Sequence, residues 1–204
     1  NKRYPLVVRS NVYDCIDWML TSEWIDDDNL NMHASKINTH WHFLQFDNQS
    51  SDGVITGFSY EQSVRPFTMM EKKTDKGMPL PMNTVFTKPG KKGDLKITVN
   101  NAAQYHPKNE ILIGADNVKD NEIGRIQAID GNQITLYRPL KNDHPVDDIV
   151  TVEFVRQRFW VDSDVGTVFW HDHAVGRVTW GHGGFGTMIV EPWGRVLARL
   201  PRGT

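Results

Sequence analysis

"GTVFWHDH", residues 166–173, runs an aromatic stretch into two histidines one residue apart, and "NTHWHF", residues 38–43, carries the same kind of pair earlier in the chain. In an extended strand successive side chains face opposite ways, so residues i and i+2 share a face. His40 and His42 then share a face with Trp41 opposite, and His171 and His173 share a face with Asp172 opposite. Two such strands side by side place four imidazoles in one small volume. Neutral imidazoles each need a partner and imidazolium cations repel, so a metal ion relieves both problems. Imidazole suits Zn, Cu, Fe and Ni. A single pair is often accidental. Two pairs, each beside a tryptophan (Trp41, Trp170) and each followed by a glycine-punctuated strand, point to metal binding by His40, His42, His171 and His173.

The surroundings of both pairs read as strands. "YPLVVRS" and "CIDWMLTS" are short, rich in β-branched and aromatic residues, and separated by the turn-prone "NVYD". "KINTHWHFLQFD" reads as one long strand, and "DGVITGFSYEQSV" follows it. From residue 67 the texture changes to Lys, Pro and Gly. Short strands then follow in "DLKITVNNA", "EILIGAD", "EIGRIQAIDGNQITLYRPL" and "DIVTVEFV". Asp130-Gly131 between alternating apolar runs is a hairpin signal. Strands resume with "QRFWVD", "GTVFWHDH" and "GGFGTMIVEP". The expected organisation is a split domain, residues 1–66 plus 156–204, around a linker and small all-β, barrel-like insert at 67–155. No segment carries sustained helical periodicity with caps, so little helix is expected.

Composition narrows the function classes. Apolar residues are 39% and aromatics 10% of the 204 residues, enough for a packed core. The formal charge is 23 − 25 = −2, which argues against nucleic acid as an electrostatic partner. No apolar run is long enough to span a bilayer as a helix. Cys15 is the single cysteine, so neither an intrachain disulfide nor a cysteine zinc cluster can form. The chain opens on "KRYPLVVRS" and closes on "EPWGRVLARLPRGT", which read as cuts in a longer polypeptide or a mature chain without its leader.

"HWH" followed by Gln and then "DG", and later "GTVFWHDH" followed by a glycine-rich stretch and "GTMIVEP", resemble the first histidine-bearing cupredoxin domain of the multicopper oxidases. The resemblance covers about residues 4–66 and 156–194. "QFDNQSSDGVITGFSYEQSVRP" is similar to the bacterial manganese-oxidising branch. The resemblance implies a cupredoxin-like Greek-key β-sandwich and a trinuclear copper cluster that reduces dioxygen to water. It implies His40 on the type 2 copper, His42 and His171 on one type 3 copper, and His173 on the other. Asp52, in "SDG", matches the acidic residue that assists proton delivery. An extracellular, cell-surface or periplasmic location is implied as well.

The departures from the family pattern define what else must exist. Phe43 stands where the first motif ends in glycine. The later His-x-x-His-x-His and His-Cys-His motifs are absent. Cys15 has no neighbouring histidine, so it is not a type 1 copper thiolate; it is expected as a small buried hydrophobe on a strand. The resemblance therefore implies another cupredoxin domain or subunit that completes the cluster. It also implies a substrate, Mn(II), Fe(II) or a phenol, oxidised at a type 1 copper outside this chain.

Two other readings compete. Paired histidines can hold zinc that activates water in a hydrolase, usually with a bridging carboxylate or lysine, for which Asp52 and Asp172 are the residues at hand. Alternatively, the sandwich is a non-catalytic metal-binding interaction module. "GHGGFG", residues 181–186, fits a dinucleotide fingerprint, but a strand follows where a helix is required, so that reading is rejected. The glycines are expected to let the chain pass close to the histidine strands. His182 is a candidate accessory ligand or proton carrier. His33, His106 and His144 are expected to be solvated or hydrogen-bonded. Asp143, Asp147 and Asp148 form a weak hard-cation candidate and "DDDN" a solvated acidic loop. The Asn48 sequon and Met69, Met70, Met78 and Met82 have ordinary surface, packing and linker readings.

Overall fold

The computed structural model describes residues 5–22, 36–47, 51–53, 62–66, 70–71, 80–81, 83–174 and 176–193. His33, Asn48, Met69, Met78, Met82, the 26–29 loop and the side chains of Met70 and His182 lie outside the described residues. The strands are β1 (Leu6–Asn11), β2 (Cys15–Leu20), β3 (His40–Trp41), β4 (Met70–Glu71), β5 (Leu80–Pro81), β6 (Asn83–Val85) and β7 (Lys96–Thr98). They continue with β8 (Glu110–Ile113), β9 (Glu122–Asp130), β10 (Gln133–Leu136), β11 (Ile149–Thr151), β12 (Val155–Trp160), β13 (Thr167–His171) and β14 (Phe185–Glu191). The described helical structure is the single turn Gly176–Thr179 and the 3₁₀ turn Trp180–His182. The chain is all-β, as its patterning predicts.

The chain divides into two compact units. The first comprises Asn1–Leu20, Asp28–Val64 and Val155–Thr204. It holds a four-stranded sheet in the order β1-β14-β13-β3 and a ribbon of β12 with β2. β1 runs parallel to β14, whereas β13 is antiparallel to both β14 and β3. Alternation decides which residues meet. On β14 Gly186, Met188 and Val190 are buried while the residues between them are not. On β13 Val168 and Trp170 point inward. Trp41, Phe159, Val161, Val168, Trp170, Met188 and Val190 form one core with Ile16 and Trp18, so the sheet and the ribbon pack face to face as a sandwich.

Three indoles fill its centre. Trp18 lies 4.9 Å from Trp41 and 6.0 Å from Trp170, centroid to centroid, in tilted or edge-on contacts that suit the ring quadrupoles. On the ribbon, Asp17 pairs opposite Arg158 and accepts from Arg156 Nε at 2.7 Å. The Arg156 hydrogen bond is the main reason the Asp17 carboxyl is held down at about 2. Cys15 corrects an expectation. It lies on a strand, but its side chain is exposed, because it alternates with Ile16, the residue that the ribbon turns toward the core.

The second unit comprises Thr21–Asp27 and Arg65–Phe154. Its six-stranded sheet has the order β6-β11-β8-β9-β10-β7. The end strands then meet. Phe86, just past β6, bridges Val99, just past β7, and Thr87 N donates to Thr98 O at 2.9 Å. The sheet thus curls onto itself around Phe86, Ile97, Ile111, Ile113, Ile126, Ile134 and Val150. The expected hairpin is present. Gln133 pairs with Asp130, and Gly131 opens the two-residue loop at φ +56°, the conformation a glycine adopts there without a steric penalty. His144 is buried, its ring nitrogens on Asp148 (2.6 Å) and Glu122 (3.1 Å). Asp143 instead receives Lys92 N at 2.8 Å, so Asp143 and Asp148 have separate partners.

Among the described glycines, Gly186 leaves the least room. A Cβ there would run into the Leu6 carbonyl and approach Trp170 Nε1 to 2.6 Å. Gly186→Ala should cost about 1–3 kcal/mol, the usual range for overpacking. Gly181→Ala, with nothing within 4 Å of its added Cβ, should stay within about 0.5 kcal/mol. Urea unfolding followed by tryptophan fluorescence measures both.

Candidate metal centre

The two histidine motifs meet across one strand pair. β3 lies against β13 with Trp41 opposite Trp170 and His40 opposite His171. The indoles face the sandwich core and the imidazoles face the other way. Both second histidines lie just beyond the strands. Here the structure corrects the long-strand expectation over "KINTHWHFLQFD": the strand ends at Trp41, and His42 and Phe43 form a turn. Phe43 sits at φ +60° with 74% of its surface exposed. It takes the left-handed conformation that a glycine would adopt without a penalty. The turn, rather than strand alternation, brings His42 round.

The four rings are close. Centroids are 4.9 Å apart for His40–His42, 4.3 Å for His40–His173, 5.2 Å for His42–His171 and 5.1 Å for His171–His173. His42 Nε2 and His171 Nε2 lie 3.1 Å apart. Ligand atoms of His40, His42 and His171 fall within 4.8 Å of one another, as do those of His40, Asp52 and His173.

The hydrogen bonds decide which nitrogens are available. His40 Nδ1 meets Asp52 O at 2.9 Å, His173 Nδ1 meets the same oxygen at 3.1 Å, and His171 Nδ1 meets Asp172 O at 2.9 Å. A carbonyl oxygen only accepts, so each of these Nδ1 atoms carries the hydrogen. In the neutral ring Nε2 then holds the lone pair. Asp52 adds its carboxylate on the same side, 3.3 Å from each of the two Nδ1 atoms. It orients two rings from behind, as the outer partners of metal-bound histidines do. The Nδ1–H groups exclude a His40–Asp52–His173 ligand set built on those nitrogens.

Two flanking rings complete the site. Phe169 stacks on His42 at 3.9 Å, and Trp180 stands edge-on to His171 at 4.9 Å. Asp172 is wholly buried, and its carboxylate accepts from Asn38 N and Thr179 Oγ1, away from the Nε2 cluster. Sequence reading gave no role to Asn38, Phe169 or Trp180. Strand alternation could have flagged Asn38 and Phe169, since each lies two residues before a motif histidine on the same face.

Desolvation is the main cause that lowers the His40 imidazole below its ordinary value, followed by the neighbouring His173, against an opposing Asp52. Desolvation also leads for His42, followed by His171 and His173. Both shifts favour the neutral form, the one that can bind a metal.

No protein-family model and no curated protein matches the chain. Among solved structures, the Gp54 tailspike of Acinetobacter baumannii bacteriophage AP22, in complex with A. baumannii capsular saccharide, is similar over 37% of this chain and 14% of its own. The identity is 13% and the TM-score 0.29, too low to carry an argument about function.

Two outcomes test this geometry. Phe43→Gly should leave stability unchanged or raise it by up to about 1 kcal/mol, because it relieves a positive φ where little packing is lost; urea midpoints measure it. For pH, the sign follows from the lowered imidazoles. As pH falls below about 6.5 the unfolded chain takes up protons that folded His40 and His42 resist, so stability is full above that value and declines below it. In the metal-free protein the decline below about pH 6.5 should be shallower in His42→Gln.

Proposed function

We propose that this chain is the copper-holding part of a multicopper oxidase, with His40, His42, His171 and His173 as ligands through Nε2. One observation carries the reading: four imidazoles converge, and three present Nε2 because backbone carbonyls hold their Nδ1–H groups. The spacing suits an ion. His42 Nε2 and His171 Nε2 stand 3.1 Å apart, so both could reach one ion at the usual metal–nitrogen bond length of about 2.0–2.1 Å. That pair is also the one the family resemblance assigns to a shared type 3 copper.

Copper held there would supply the one-electron steps by which dioxygen is taken to water. This chain's residues bind, orient and manage protons. Asp52, with a partly exposed carboxylate beside the Nδ1–H groups of His40 and His173, lies between solvent and rings and is the proton-handling group. The remaining ligands, and a type 1 copper where Mn(II), Fe(II) or a phenol gives up electrons, belong to another cupredoxin domain or subunit. Such an oxidase would work outside the cytoplasm, at the cell surface or in the periplasm.

The hydrolase reading is less well supported by the same geometry. Neither Asp52 nor Asp172 offers a bridging carboxylate to the Nε2 cluster, since one sits behind the rings and the other is turned to Asn38 and Thr179.

Elemental analysis after loading the purified chain with equimolar copper and zinc tests the choice. Copper retained by the wild type and lost on His171→Ala is expected. In the complete oxidase His171→Ala should abolish oxygen uptake while leaving the blue type 1 absorption. Zinc alone in the wild type, or oxygen uptake that survives in the variant, overturns the proposal.

A further inference from the structure

Three of the four imidazole N–H groups end on only two backbone oxygens, Asp52 O and Asp172 O. What holds those two carbonyls therefore decides which nitrogen the rings present. Asn38 reaches both. It is wholly buried. Its backbone N–H donates to Asp172 Oδ1 at 2.8 Å. Its amide Nδ2 donates to Gly53 O at 2.7 Å, with a longer contact to Ser63 Oγ at 3.3 Å. Its Oδ1 accepts His173 N at 2.8 Å. One side chain thus ties the segment before the first motif, the loop carrying Asp52 and the end of the second motif.

The loop is shaped to fit it. Gly53 sits at φ +86°, and a Cβ there would lie 2.9 Å from both Nδ2 and Oδ1 of Asn38. Only glycine lets the loop close this far onto the amide. Asp172 is fixed from two sides, by Asn38 N and by Thr179 Oγ1 at 2.6 Å. Its carbonyl takes His171 Nδ1–H and also Trp180 Nε1–H at 3.0 Å.

We infer that Asn38 is a positioning residue that fixes the tautomer of the metal-site histidines, by clamping Gly53 O and His173 N so that Asp52 O receives the Nδ1–H groups of both His40 and His173. Either nitrogen of a neutral imidazole can carry the hydrogen, and the partner of the other nitrogen settles which. Release the Asp52 carbonyl, and both rings also populate the Nε2–H form, which has no lone pair at Nε2 for a ligand. His171 is the internal control, because Thr179 still holds Asp172. The inference deepens the copper reading and rests on it for the site's purpose, but its geometry can be tested without metal.

Long-range ¹H–¹⁵N spectra of the metal-free protein distinguish the two tautomers ring by ring. The wild type should show His40, His171 and His173 as Nδ1–H; finding His40 or His173 as Nε2–H overturns the inference outright. Asn38→Asp keeps an acceptor for His173 N but loses the donor to Gly53 O. It should convert His40 and His173 to mixed tautomers and leave His171 as it was, with tryptophan fluorescence unchanged. Asn38→Ala should do the same more strongly. Asp172→Asn, which retains an oxygen for Asn38 N, and Ser63→Ala should both behave as wild type. Affinity for Cu(II) should fall about 10–100-fold in Asn38→Asp, the usual effect of losing a residue that orients a ligand. Folded Asn38 variants with unchanged tautomers sink the inference even if the wild type binds copper. Tautomers that follow Asn38 in a protein that binds no copper would sink the copper reading and leave this one standing.

Discussion

The pairing of β3 with β13 is the constraint on which the first unit depends. It is only two residues long on the β3 side, yet it places Trp41 against Trp170 and His40 against His171 at once. One face of the pair completes the apolar core, while the other gathers the polar rings. A one-residue slip would exchange the faces, driving imidazoles into the sandwich and indoles into water. Burial of Trp41 and Trp170 therefore sets the register, and the register sets the positions of the histidines. Core packing and site geometry are one requirement here.

That coupling explains how much could be read from residues alone. Alternation around Trp41 and Trp170 is strong enough to give the strand face, and the repeated motif gives the convergence. Asp130-Gly131 marked its hairpin because the turn has steric demands that the sequence shows directly. The break after Trp41 was hidden. Nothing in the identity of Phe43 announces a positive φ, since phenylalanine adopts one only when its surroundings force it. The exposure of Cys15 was hidden for another reason: it depends on which side of the β2–β12 ribbon meets the larger sheet, a tertiary choice.

The contacts of Asp52 and Asn38 were the least legible. The decisive oxygens are main-chain carbonyls, one on Asp52 and one on Asp172, and every residue type carries one. A motif records side chains, so it names the histidines and omits the backbone groups that hold their rings. Asp52 was singled out for its carboxylate, but its backbone makes the shorter contacts to His40 and His173. The chemistry of the histidines was visible, whereas their hydrogen-bonding pattern was a property of the folded backbone.

The second unit shows a different economy. Once Phe86 and Val99 meet, the end strands β6 and β7 no longer offer open rows of amides and carbonyls there. Unpaired strand rims are where foreign chains add on and where fibrils seed. A sheet joined end to end is spared that hazard at its junction, although its strands are rich in valine and isoleucine.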